Sequence, residues 1–209
     1  TRSDRDWSSD VCSSDLGQKV CLSGPNGSGK TTLLQMIGGL GSPTSGTIAL
    51  DGHPLGSLDL DHARGMMGDS LNQDEVFSGT IQDNITMGRP WVTSEDVRLA
   101  AERTGLASRI ARLPLGLLTP LDPNGTRLPR SLVKRVILSR CLASRPRLLL
   151  IEDDLAMFDA ADRDALLREL TAREAPWTLV LVSNDPAVQA ICERHVHLDG
   201  GKLHELRNA

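Results

Sequence analysis

The eight residues Gly24-Pro25-Asn26-Gly27-Ser28-Gly29-Lys30-Thr31 constrain this chain more than any other stretch. They follow the apolar run Val20-Cys21-Leu22 and precede "TTLLQMIGGL", which has the apolar spacing of a helix closed by Gly38-Gly39. A glycine-rich turn between a buried strand and a helix calls for an α/β fold, because both flanks must bury an apolar side. The pattern G-x-x-x-x-G-K-[ST] in that setting also has a chemical use. Its glycines let successive backbone N–H groups turn inward around an anion, and the helix behind the loop offers its positive end. The residues expected to cradle a nucleotide's phosphates are Gly24, Pro25, Asn26, Gly27, Ser28, Gly29, Lys30, Thr31 and Thr32, with Lys30 on the β and γ oxygens and Thr31 on Mg²⁺.

The chain has 209 residues with 39% hydrophobic and 24% charged residues, enough for one α/β domain with a substantial core. A net charge of −4 gives no electrostatic footprint for nucleic acid, and none is expected as a partner. No apolar stretch approaches the roughly 20 residues of a bilayer-spanning helix. Cysteines 12, 21, 141 and 192 lack metal-ligand spacing and read as reduced thiols. Residues 1–16 stand apart: Asp6–Leu16, "DWSSDVCSSDL", back-translates into a common sequencing-library adapter, so the segment reads as a non-native scar. Residues 17–209 are then one domain whose native N-terminus is lost.

Past the loop, "PTSGTIALDGHPL" (Pro43–Leu55) reads as a hairpin around Asp51-Gly52. Residues of about 79–145 read mostly as helices and form an inserted helical subdomain. Within it "TSED" (Thr93–Asp96) opens one helix in the manner of a capping box, and Ser131–Ala143, with Ser131 as N-cap and Leu132, Val136 and Ile137 on the core face, is another. Strands return at Leu148–Ile151, Thr178–Ser183 and near His195–Leu198, with the helical "AADRDALLREL" between the first two. That order implies a mainly parallel sheet with right-handed crossovers. Trp91 and Trp177 read as packing residues, and His195 and His197 lack a third metal ligand.

Over Gly17–Leu203 the chain resembles the nucleotide-binding domain of ATP-binding-cassette (ABC) transporters of the exporter type. "VFSGTIQDNI" is similar to the segment after the Q-loop, where the membrane domain docks. "LPRSLVKRVILSR" stands at the signature helix, "RLLLIEDD" at the Walker B strand, "AMFD" at the D-loop and "VLVSND" at the switch strand. Leu128 to Glu152 is 24 residues and Glu152 to Asp159 is 7, and both intervals match the family, which fixes the register. The resemblance implies a P-loop NTPase fold of ABC type and an ATPase that uses ATP and Mg²⁺. It also implies a transmembrane domain, fused upstream or separate, a second ABC nucleotide-binding domain, and a place on the cytoplasmic face of the cell membrane.

In that register the departures fall on chemistry. Where the family has Asp then Glu, this chain has Glu152 then Asp153. Glu152 keeps a carboxylate for the metal's water shell. Asp153, at the position that orients or deprotonates the attacking water, is one methylene short, about 1.5 Å. Asn184 stands at the switch histidine and can hydrogen-bond a phosphate but cannot take a charge. The Q-loop residue, which would serve both water and metal, is Gln73, or Asn72 in the alternative alignment. The signature Leu-Ser-Gly-Gly-Gln becomes Leu128-Pro129-Arg130-Ser131-Leu132, which removes a hydroxyl, an N–H and the close approach that glycine allows.

Two functions follow. One is an energy-coupling ATPase domain with slow hydrolysis. The other is a non-hydrolysing nucleotide-binding regulatory half of a heterodimeric assembly, whose ATP holds the dimer together. Because ABC sites are composite, lesions in both the P-loop half and the signature half favour a hetero- over a homodimeric partner.

Overall fold

The structure is a computed structural model and describes residues 17–71, 76–125, 127–152 and 155–206. The leader 1–16, Gln73 with Asn72, and Asp153 lie outside the described residues. The chain divides into two compact units. The first takes in the described residues up to Leu71, the strand from Arg147 and everything from Arg173 onward. The second takes in those up to Pro146 and those of 155–172.

In the first unit β1 (Lys19–Ser23) leads through the glycine loop into α1 (Lys30–Ile37). Then come β2 (Ala49–Leu50), β3 (His53–Pro54), α2 (Leu60–Gly65) and β4 (Met67–Asp69). The hairpin expected at Asp51-Gly52 forms as β2–β3, with Asp51 at φ 50° and Gly52 at φ 78°. The second unit has the pair β5 (Gly79–Thr80) and β6 (Pro120–Leu121). It also holds α3 (Ile81–Thr86), α4 (Ser94–Arg103), α5 (Leu106–Ile110), α6 (Arg130–Ala143) and α7 (Ala160–Thr171). The first unit is completed by β7 (Leu148–Glu152), β8 (Thr178–Val182), α8 (Pro186–Ile191), β9 (Arg194–Asp199) and β10 (Lys202–Leu206).

The main sheet has the order β10-β9-β1-β8-β7-β4, parallel throughout except for the antiparallel edge strand β10. Strands buried on both faces explain the near-continuous apolar runs Leu148–Ile151 and Leu179–Val182. On one face α1 sets Leu33, Leu34 and Ile37 against Val20, Leu22, Leu150, Val182, Val196 and Leu198. The opposite parity of β1 carries Lys19, Cys21 and Ser23, also buried. The Lys19 ammonium is satisfied there by the carbonyls of Gly17, Ala175 and Trp177.

In the second unit Thr93 caps α4 as its sequence implies. Its hydroxyl accepts from Asp96 N–H at 3.2 Å, while the Asp96 carboxylate accepts from Thr93 N–H at 2.9 Å. The same carboxylate accepts from Arg145 Nε at 2.6 Å and Nη2 at 3.0 Å, so one buried acid ties the first turn of α4 to the segment after α6. Chiefly because of Arg145, with help from Thr93 and against burial, the Asp96 carboxyl is held at about 2. A depressed carboxyl stabilises the fold above its unfolded value and loses that contribution as pH falls through the folded one. Asp96→Ala is expected to cost about 2 kcal/mol at neutral pH. In urea melts the gap to the unsubstituted chain should hold down to pH 4 and close toward pH 2. An unchanged gap across that range would remove the carboxylate from the account.

Two local expectations need correcting. The helix α6 begins at Arg130, with Pro129 rather than Ser131 in the N-cap place and no side-chain cap bond. Proline's fixed φ suits a helix entry without a capping hydroxyl. Trp91 is 57% exposed in the turn between α3 and α4, whereas Trp177 is buried as a packing residue. The core-face residues Leu132, Val136 and Ile137 of α6 are buried, as their spacing implies.

Candidate functional site

Register explains why three predicted site positions lie at one end of the sheet. Leu22 pairs with Val182, and Val182 with Glu152, so β1, β8 and β7 end on one level at their carboxyl ends. Ligands of open parallel sheets gather outside those ends. Two residues beyond that level stand Gly24 and Asn184, and their groups join: Gly24 N–H donates to Asn184 Oδ1 at 2.9 Å, and Asn184 Nδ2 donates to Gly24 O at 3.0 Å. Glu152 is the last residue of β7, half-buried beside them in the strand order.

The loop itself is built by positive-φ glycines: Gly24 at 147°, Gly27 at 79° and Gly29 at 98°. At Gly24 glycine is required twice over, since a Cβ would collide with the carbonyl oxygen of Leu198 at the end of β9. Gly29 delivers the chain into α1 in the left-handed conformation, and the Leu33 N–H to Gly29 O bond of 2.9 Å closes the first turn. Lys30 Nζ donates to the carbonyls of Gly24 and Pro25, each at 2.8 Å, so its ammonium lies along the inner edge of the loop. Pro25, Asn26, Gly27 and Thr32 are exposed, and Ser28, Lys30 and Thr31 half-buried. Thr31 at the head of α1 and Glu152 at the end of β7 supply a hydroxyl and a carboxylate, the hard oxygen donors that suit Mg²⁺.

The strand entering the loop has a support that the sequence did not disclose. Ser23 Oγ lies 2.7 Å from His195 Nε2 and 2.9 Å from His197 Nδ1. Alternate residues of β9 share a face, so the two imidazoles reach one hydroxyl on the neighbouring strand. Burial, and secondarily the neighbouring His197, lowers the His195 pKa and favours its neutral ring. These histidines therefore hold Ser23, and among the described residues no group of three or more His, Cys, Asp or Glu is placed to hold a metal.

In the second unit, the signature-position residues Pro129 and Arg130 are exposed at the start of α6. Further along that helix the buried Arg135 pairs with Asp162 at 2.6 Å, and Asp162 also pairs with Arg109 at 2.5 Å. The Arg135 guanidinium lies 4.8 Å from the centroid of Phe158. Asp159 caps α7 through Asp162 N–H at 2.8 Å. One arginine thus joins the signature helix to the D-loop and its following helix, a link that basic residues within "LVKRV" do not announce.

A glycine-rich anion loop, a carboxylate at the next-but-one strand end and a polar side chain between them define a phosphate-binding α/β domain. A sequence model described as ABC transporter matches residues 12–155, and the chain belongs to that family. It is 32% identical over 189 residues to the mycobactin import ATP-binding/permease protein IrtB of Mycolicibacterium thermoresistibile, covering 90% of this chain and 33% of the relative. It is 28% identical to the ABC transporter ATM1 of Toxoplasma gondii, covering 92% of this chain and 17% of that protein. The structure of a bacterial Atm1-family ABC exporter with ATP bound superposes with a TM-score of 0.84 at 27% identity, over 90% of this chain and 33% of that one. The chain thus spans a third or less of the length of these relatives. No helix among the described residues is long and apolar enough to cross a membrane.

Proposed function

We propose that this chain is the ATP-binding domain of an exporter-like ABC transporter, holding Mg-ATP through Gly24–Thr31 and hydrolysing it slowly. The observation that carries this reading is the convergence of the loop, Glu152 and Asn184 at the level carboxyl ends of β1, β7 and β8. Loop N–H groups and Lys30 take the phosphates, while Thr31 and Glu152, with Gln73, serve the Mg²⁺ that neutralises them. Asp153 orients the water from one methylene too far away, a displacement that costs rate far more than binding. The segment of about 79–145 acts as the helical subdomain, its Val76–Ile85 stretch facing a transmembrane domain at the cytoplasmic membrane face. A second nucleotide-binding domain closes the site with its signature, and a non-identical one with an intact signature suits this chain better than a copy. The compound moved and its direction belong to the membrane portion.

A second reading, a regulatory half that binds without hydrolysing, draws support from Asn184, whose amide is engaged with the loop backbone. Calorimetric titration with Mg-ATP tests what the two share. One site per chain is expected. A folded chain that gives no binding to Mg-ATP would contradict both.

A further inference from the structure

We propose that Asn184 is a positioning residue for the phosphate loop, acting on the Gly24 peptide and not as a sensor of the terminal phosphate. The role rests on the ATP-site reading above. Asn184 presents its amide edge to edge with one residue's backbone: Oδ1 accepts from Gly24 N–H at 2.9 Å and Nδ2 donates to Gly24 O at 3.0 Å. A carboxamide has an acceptor and a donor side by side, so it can match a residue's own N–H and C=O. An imidazole at the same place has no such pair on one edge.

Gly24 is the hinge of the loop. Its φ of 147° turns the chain out of β1, and a Cβ there would collide with the Leu198 carbonyl oxygen. Leu198 therefore bounds Gly24 on the β9 side, while Asn184 holds it from the β8 side. The Gly24 carbonyl is shared between Asn184 Nδ2 and Lys30 Nζ. When Lys30 swings to a phosphate, that carbonyl keeps the Asn184 bond, and the loop keeps its curvature with the lysine extended. The consequence concerns every nucleotide whose β-phosphate sits in the loop, with or without a γ-phosphate.

The test uses the full chain and two substitutions, Asn184→Ala and the equal-volume Asn184→Leu. Affinities for Mg-ADP and for a non-hydrolysable Mg-ATP analogue are measured by calorimetry, with the Gly24 amide followed by NMR in the absence of nucleotide. Both variants are expected to weaken both nucleotides by the same factor, about fivefold, given two part-buried neutral hydrogen bonds. The Gly24 amide should move upfield and exchange faster, while circular dichroism stays that of the parent. A loss confined to the analogue would make Asn184 a γ-phosphate contact and overturn the proposal. An unmoved Gly24 signal would overturn it as well. A parent chain that binds neither nucleotide, with Gly24 responding as expected, would instead refute the ATP reading and with it the loop's role in binding.

Discussion

Lys30→Ala is expected to weaken Mg-ATP binding by about 100-fold or more, because it removes charge-assisted bonds to two phosphates worth about 1.5–3 kcal/mol each. The effect should fall on binding and not on folding. Lys30 is half-buried at the head of α1, and its ammonium touches only the Gly24 and Pro25 carbonyls at 2.8 Å and, at 3.5 Å, Ser28 Oγ among the bonds described. Gly24 O retains Asn184 after the lysine is gone, and Pro25 O retains the Ser28 N–H at 3.2 Å. Alanine is also the best helix former at an N-terminal turn position that needs none of the lysine's stem. Calorimetry with Mg-ATP, beside a thermal melt of each protein, separates the two. A loss of less than threefold with an unchanged melt would move the phosphates away from this loop.

How much of this was legible in the sequence depends on whether the signal was local. The loop and its flanks were plain, since a short apolar run, positive-φ glycines and a 3.6-residue period all lie within twenty positions. Thr93 and Asp96 declared the start of α4 in the same way. The strand β4 did not: Met67-Gly68-Asp69 has no β-branched residue, and it is a strand because it pairs with Leu148–Leu150. The edge strand β10, "KLHEL", is mostly exposed, and its weak alternation carries little burial. At α6 a serine that fits a cap by type lost to the proline before it, whose backbone angle already opens the helix.

In the site the division is the same. Gly24–Thr32 and Glu152 could be placed from spacing, because each belongs to a motif contiguous with its strand. The engagement of Asn184 with Gly24 could not, for the partners are 160 residues apart and meet only through the register of β1 and β8. Ser23 with His195 and His197 is a similar case: their alternation on β9 was visible, but the neighbouring strand that supplies their partner was not. Arg135 is charged and sits within a helix, so by type alone it belongs at the surface. Its burial is intelligible only once Asp162 and Phe158 are beside it.

The central claim, that this chain holds ATP well and hydrolyses it slowly for want of reach at one carboxylate, is tested most directly by phosphate release from the parent and from Asp153→Glu. Glutamate restores about 1.5 Å of side chain at the position proposed to orient the attacking water. A displacement near 1 Å costs about 100-fold in rate, so the substitution is expected to raise turnover by about 10- to 100-fold, the lower end reflecting the altered signature at Pro129-Arg130. Mg-ATP affinity should stay within about twofold if, as proposed, the carboxylate acts on the attacking water and not on the bound phosphates. Saturating Mg-ATP and a calorimetric control for affinity make the rate change attributable to chemistry. Slow release by the parent, a large gain in Asp153→Glu and equal affinities are the predicted result. A parent that already turns over as fast as Asp153→Glu at saturation would show the shorter acid to be an adequate catalytic group and would contradict the account.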